Sequence, residues 1–202
     1  MFAGIIFVKM ENYNKILIAI PCNRTILVST AASIIGVSRS KAYESDVKFE
    51  ESIYVHNNRN RLVEAAKDYT HIFFVDHDVV FGDDTIERLL AYDKDVISGV
   101  YNYRHLPLRP ILWQKTEEGE MYNIIPEMMP EELFKCWGVP GGCLLIKMGV
   151  FEKLEKPYFE FRYENGQVMS EDLVFCEKLE KAGIDRFVAP EVKVAHIGDF
   201  LY

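Results

Sequence analysis

The chain has 202 residues, enough for one domain with a substantial core, and 49% of them are apolar. Its formal net charge of −8 argues against nucleic acid as a partner and against stable docking on anionic lipid. No apolar run approaches the roughly 18 residues of a membrane-spanning helix, and no low-complexity tract marks disorder.

Phe2 to Val8 is apolar but short and lacks a basic flank, so no signal peptide is expected. Residues 1–14 are expected to be an N-terminal extension, with Met10 as an alternative start. These features predict a soluble, cytoplasmic protein. Cys22, Cys136, Cys143 and Cys176 are widely spaced and form no C-x-x-C pair, which argues against a zinc cluster. Cys143 and Cys176 sit in apolar patterns and are expected to be core thiols.

In chain order, Lys15 to Ile20 is a strand ended by Pro21. Ile26 to Ile35 is a helix closed by Gly36, and Ala42 to Phe49 a second strand. Asn60 to Lys67 reads as a helix with Leu62, Val63 and Ala66 on one face. Ile72 to Val75 is a buried strand, apolar throughout and rich in aromatic and β-branched residues. A further helix follows, capped by Asp83 or Asp84; with Asp84 as N-cap, Glu87 completes a capping box, and Ile86, Leu89 and Leu90 form its buried stripe. Asp95 to Gly99 is another strand. Alternation then breaks: residues 104–135 contain Pro107, Pro110, Pro126 and Pro130 and predict a hairpin or irregular excursion. Gly141-Gly142 opens the apolar run Cys143 to Ile146. Ser170-Glu171-Asp172 opens a helix over Leu173 to Ala182, stopped by Gly183. Strands alternating with helices predict an α/β fold, with a mostly parallel central sheet and helices on both faces.

The most informative residues are Asp76-His77-Asp78, at the end of the Ile72–Val75 strand. Open α/β sheets collect ligands at the carboxyl ends of their strands. Carboxylates two apart in an extended stretch lie on one side, with His77 facing away. That suits a hard divalent cation, which takes oxygen ligands and shares them with substrate phosphates. A polar turn after a strand is the plainer alternative.

Asp76-x-Asp78, the Lys15–Ile20 strand with Pro21-Cys22-Asn23, Arg59-Asn60, Gly141-Gly142, Glu171-Asp172 and the segment Val192 to Gly198 follow one another in a specific order. In that order the chain resembles the GT-A glycosyltransferases, from about Lys15 to Gly198. The resemblance implies the GT-A (nucleotide-diphospho-sugar transferase) fold, a nucleotide-sugar donor, and Mn2+ or Mg2+ as cofactor. Residues 101–136 match nothing in the pattern. They are expected to be an acceptor-side excursion, with a sugar, lipid or protein acceptor left open. The small size fits a minimal enzyme without an acceptor domain, such as viruses carry, which would act in the host cytoplasm.

Glycosyl transfer needs a neutralised diphosphate leaving group, a deprotonated acceptor hydroxyl and a positioned anomeric carbon. By resemblance, Asp78 holds the metal and His196 completes its shell, while Asp76 either shares the metal through water or binds the ribose. The alternative for His196 is a core histidine between Ala195 and Ile197. Helical spacing puts Asp172 on a face with Phe175, Cys176 and Leu179, so it is expected to point inward. In inverting members, the Asp of the Glu-Asp pair is the general base. That implies Asp172 as base, with Glu171 contacting the acceptor or donor sugar. Arg59 either meets base or phosphate or starts a helix in solvent. Arg104 is placed for the donor sugar or pyrophosphate. Gly141 and Gly142 either admit a ligand closely or turn the chain. Trp137 either stacks on an acceptor or sits in the core. A nucleotidyltransferase is the second reading, disfavoured because the loop Pro21 to Thr25 lacks glycine. A non-catalytic binding module is the third.

Overall fold

The computed structural model describes residues 13–164 and 166–198. The readings for Phe2 to Val8, for Met10 and for most of the N-terminal extension lie outside the described residues. Among the described residues there are thirteen strands: β1 (Lys15–Cys22), β2 (Glu44–Glu51), β3 (His71–Val75), β4 (Val79–Val80), β5 (Val96–Val100), β6 (Trp113–Lys115), β7 (Met121–Asn123), β8 (Phe134–Lys135), β9 (Cys143–Lys147), β10 (Arg162–Glu164), β11 (Gln167–Met169), β12 (Phe187–Lys193) and β13 (Ala195–His196). Four α-helices accompany them: α1 (Val28–Val37), α2 (Val55–Ala65), α3 (Thr85–Ala91) and α4 (Glu171–Lys181). Among the described residues, no helix is long and apolar enough to cross a membrane.

Alternation along each strand divides the core between two faces. Leu17 and Ala19 of β1 and Ile72 and Phe74 of β3 pack with Leu62 of α2 and Phe175 of α4. Their neighbours Ile16, Ile18, Phe73 and Val75 pack with Ile34 of α1 and Ile86 of α3 on the other side. The sheet is thus covered on both faces, which is why β3 is apolar at nearly every position. Cys143 and Cys176 are buried free thiols, pushed up to about 12 by burial.

The main sheet has the order β2-β1-β3-β9-β5-β12-β8. β1 is parallel to β2 and β3, and β5 to β12. β9 is antiparallel to both its neighbours, and β8 is antiparallel to β12. The sheet is therefore mostly parallel, with one reversed strand at its centre. That reversal matters for the site. It sets Cys143, at the start of β9, opposite Val75, at the end of β3, so Gly141-Gly142 arrives beside Asp76.

Several local expectations shift. β1 continues past Pro21 to Cys22; beyond Ala19 it pairs only with β2, so the missing proline N–H leaves no central ladder broken. Gly36 lies inside α1 and does not end it: a Cβ there would strike the Asp83 carboxylate, so the glycine makes room for the loop between β4 and α3. α2 starts at Val55, five residues before Asn60. The capping box does not form; Glu87 accepts a hydrogen bond from the Ser40 hydroxyl. Leu90 is only partly buried, while Ile86 and Leu89 are fully covered. The 101–136 excursion contains the β6–β7 hairpin and ends in β8. It contributes Leu112 and Ile124 to the core.

His71 opens β3, at the opposite end of the strand from Asp76. Burial, helped by the Lys147 charge, lowers its pKa to about 4. An unfolded imidazole titrates near 6.5. Between those values the unfolded chain binds the extra proton, so stability is full above about pH 6.5 and falls as pH drops toward 4. A gap of that size corresponds to roughly 3 kcal/mol. His71→Gln should therefore lose less stability than the wild type between pH 7 and pH 5 in urea titrations. An unchanged pH dependence would contradict this.

Candidate active site

Beyond Val75 the chain turns and does not stay extended: the Val79 N–H lies 3.4 Å from the Asp76 carbonyl. Asp76 and Asp78 consequently reach different partners, although both line one cleft of about 380 Å³. The expectation of two carboxylates side by side along a strand is corrected by this turn.

After the turn, β4 pairs with β13, placing His196 opposite Val79, and the Ile197 N–H donates to the Asp78 carbonyl at 2.8 Å. This short ladder is what carries His196 to Asp78 from 118 residues away. His196 Nδ1 lies 2.9 Å from the Asn102 carbonyl. A carbonyl only accepts, so Nδ1 carries the proton. In the neutral ring the Nε2 lone pair then faces Asp78 Oδ1, 3.5 Å away. Two electron-rich atoms converging in this way fit a shared cation, and a carbonyl accepting from the other ring nitrogen is the usual orienter of a ligating imidazole. Arg104 Nη1 reaches Asp78 Oδ2 at 2.6 Å. When the imidazole is protonated its Nε2–H instead donates to Asp78; burial works against ionising that carboxyl, but this contact and the His196, His77 and Arg104 charges together lower its pKa.

Among the described residues no group of three or more His, Cys, Asp or Glu side chains converges as a metal cage. The residues here that could hold a metal are Asp78 and His196. Mg2+ and similar cations accept such a sparse set, because substrate phosphates and water supply the rest.

Asp76 belongs to a second constellation, built on Arg59. The guanidinium donates to Asp76 Oδ1 at 2.7 Å, to Glu171 Oε1 at 3.3 Å and to the Gly141 carbonyl at 2.9 Å. Arg59 is 2% exposed and its charged form is reinforced by Asp76 and Glu171 against the cost of burial. All three of its nitrogens are engaged within the protein. Arg59 is therefore not a solvated helix-start residue; its fork is engaged within the protein, and the side chain lines the cleft with Asp76 and Asp78. The glycines follow from the same packing. A Cβ on Gly141 would come within 2.6 Å of Arg59, and one on Gly142 within 2.5 Å of Asp76 and against the Tyr101 hydroxyl. They turn the chain and let these side chains close over it.

Asn60 is placed elsewhere. Its amide donates to the His56 and Phe159 carbonyls and accepts from the Tyr158 and Phe159 N–H groups. It braces the segment at Phe159 and does not line the cleft, which corrects its assignment to the donor site. Two positions earlier, Asn58 does line the cleft and donates to the Cys22 carbonyl at 3.0 Å. Tyr101 was also missed: its hydroxyl accepts from the Gly142 N–H at 2.8 Å and its ring meets His196 edge to face. Its place after β5, at the same sheet edge, was the available signal.

α4 begins at Glu171, so the two carboxylates occupy its first turn, where the helix dipole favours them. Glu171 is the deeper of the two, 7% exposed and paired with Arg59; burial raises its pKa, opposed by the Arg59 charge. Asp172 is partly exposed, so the expected full inward turn of its helix face is relaxed at this first position. It lines both the Asp76–Asp78 cleft and an adjoining cavity of about 760 Å³. Its Oδ1 accepts hydrogen bonds from the Ser170 hydroxyl and the Leu173 N–H. Trp137 is buried beneath Lys115 and belongs to the core, not to an acceptor platform.

A mostly parallel sheet with helices on both faces and a cleft at the end of β3 is a fold similar to that of the GT-A glycosyltransferases. The chain is similar to the crystal structure of A197 from STIV, with a TM-score of 0.60 and 20% identity over 92% of this chain and 86% of that one. It is also similar to GalNAc-T7 crystallised with UDP, GalNAc and Mn2+, with a TM-score of 0.65 and 13% identity over 93% of this chain. The match spans 44% of the GalNAc-T7 chain, less than half its length. No protein-family model and no curated protein matches the sequence.

Proposed function

We propose that this protein is a metal-dependent glycosyltransferase that moves a sugar from a nucleoside-diphosphate donor to an acceptor hydroxyl with inversion. The observation that carries the reading is the meeting of Asp78, His196 and Asp172 around one cleft at the end of β3. The fold likeness to GalNAc-T7, which was crystallised with UDP and Mn2+, supports it.

Asp78 and His196 would hold Mn2+ or Mg2+, which supplies Lewis-acid neutralisation of the diphosphate leaving group. Arg104, half-exposed on the outer side of Asp78, adds a second positive charge for the same diphosphate. Asp76, held on Arg59 by one oxygen, is the group for the donor ribose. Arg59 thereby positions and does not bind. Asp172 accepts the proton of the acceptor hydroxyl as that oxygen bonds to the anomeric carbon. The bond from that carbon to the diphosphate oxygen breaks, and its electron pair leaves with the diphosphate. A direct displacement of this kind inverts the anomeric centre.

Asp78→Ala should abolish manganese-dependent nucleotide binding and keep a cooperative thermal transition. His196→Ala should weaken manganese binding, read by electron paramagnetic resonance, more than it lowers Tm. Equal nucleotide affinity of the wild type with and without EDTA would overturn the metal assignment.

A further inference from the structure

The cavity of about 760 Å³ beside Asp172 has a lining that is unusual for a site next to a diphosphate cleft. Tyr103, Ile111, Trp113, Met121, Val168 and Leu173 line it, together with polar Gln167 and Ser170. Its ionisable members are Glu164, Glu171 and Asp172, and among the described residues no lysine or arginine lines it. Its rim continues apolar onto two hairpins. Val168 of the β10–β11 hairpin is 67% exposed and Met121 of the β6–β7 hairpin is 41% exposed.

Resting on the glycosyltransferase reading of Asp172, we infer that this cavity takes an uncharged glycoside with an apolar aglycone as the acceptor. Charge is the first reason. An anionic acceptor, such as a sugar phosphate or a lipid phosphate, would enter a wall bearing carboxylates with no cation to meet it. Like charges juxtaposed at an interface are strongly disfavoured. Arg59, a buried cation of the adjoining cleft, is already engaged by Asp76 and Glu171. The chain's net charge of −8 adds to the repulsion. Shape and polarity are the second. Tyr103 and Trp113 offer ring surface suited to the apolar face of a sugar ring. The exposed Met121 and Val168 extend that surface outward, where an alkyl or aryl aglycone gains from leaving water. Continuity is the third: Ile111, Pro140 and Asp172 line both this cavity and the donor cleft, so a hydroxyl held here faces the proposed base.

The test uses hexyl β-glycosides of glucose, galactose, mannose and N-acetylglucosamine, beside the free sugars and their 1-phosphates. Binding to the full chain is measured by saturation-transfer NMR and titration in EDTA, so that phosphates cannot bind through metal. At least one hexyl glycoside should bind, on the order of tenfold tighter than its free sugar if only two methylenes are buried. The 1-phosphates should not compete with it. Val168→Asp and Met121→Asp, at exposed rim positions, should each weaken the glycoside several-fold and leave manganese-dependent nucleotide binding unchanged. A 1-phosphate binding more tightly than the neutral glycosides would overturn the inference. So would the absence of any glycoside binding, or indifference of that binding to both rim variants. Nucleotide binding is read separately, so its loss would indict the glycosyltransferase reading and not the acceptor class.

Discussion

Asp172→Asn is expected to bind the nucleotide sugar like the wild type and to transfer sugar on the order of 10²–10⁴-fold more slowly, the usual cost of losing a general base. Asparagine keeps the size of the side chain. Its amide oxygen can still accept from the Ser170 hydroxyl and the Leu173 N–H, which hold Asp172 Oδ1 in place. Only the proton acceptor is removed. Donor binding should survive because Asp78 and His196 sit on a separate ladder, β4 with β13. Wild-type product should have the anomeric configuration opposite to the donor's, read by proton NMR of the new linkage. Near wild-type transfer by the variant, or a product that retains configuration, would remove Asp172 from the role of base.

Arg59→Ala should be the most destabilising single substitution near the site. It strands the buried Glu171 and the Asp76 carboxylate without their partner and opens a hole beneath Gly141. Breaking a buried pair by removing one member typically costs about 3–5 kcal/mol. In a chain of this size that lowers Tm by roughly 10 °C. The loss should depend on pH, with a definite sign. Burial already raises the Glu171 pKa and Arg59 opposes it. Without Arg59 the raised value climbs further above that of the unfolded chain. The folded state then takes up the proton first as pH falls, so the variant recovers part of its stability between pH 7 and pH 5. A variant that melts within 2 °C of the wild type, at either pH, would show that the Arg59 network is not what holds this edge together.

How far these elements could be read from residues depends on the range of the interactions that make them. β3 is legible because a strand buried on both faces shows an unbroken apolar run. β2 is less so because it is an edge strand carrying charges along its length, a protection against pairing with other chains. The start of α2 was hidden because its N-cap is Tyr54, whose side chain makes no capping hydrogen bond. The antiparallel course of β9 leaves no trace in composition, yet it is what delivers Gly141-Gly142 to Asp76. Arg59 is the clearest case. Its partners Asp76, Gly141 and Glu171 lie 17, 82 and 112 residues away, so nothing local separates it from a solvated helix arginine. Asn58 and Asn60 are two apart on α2 and face different ways, so Asn58 lines the cleft while Asn60, the residue the resemblance points to, braces Phe159. By contrast, the two Asp residues of the motif, Asp172 and His196 were singled out by order along the chain, and the fold brings them to one cleft.

A thermal-shift series with UDP, GDP, CMP and dTDP sugars, with manganese and with EDTA, bears most directly on the central proposal. A ligand that binds only the folded state stabilises by RT ln(1 + [L]/Kd), or about 2.7 kcal/mol at a hundred times Kd. One nucleotide class should raise Tm by several degrees in manganese, lose that effect in EDTA, and lose it again in Asp78→Ala. No shift by any nucleotide sugar in either condition would contradict a nucleotide-sugar site at the end of β3.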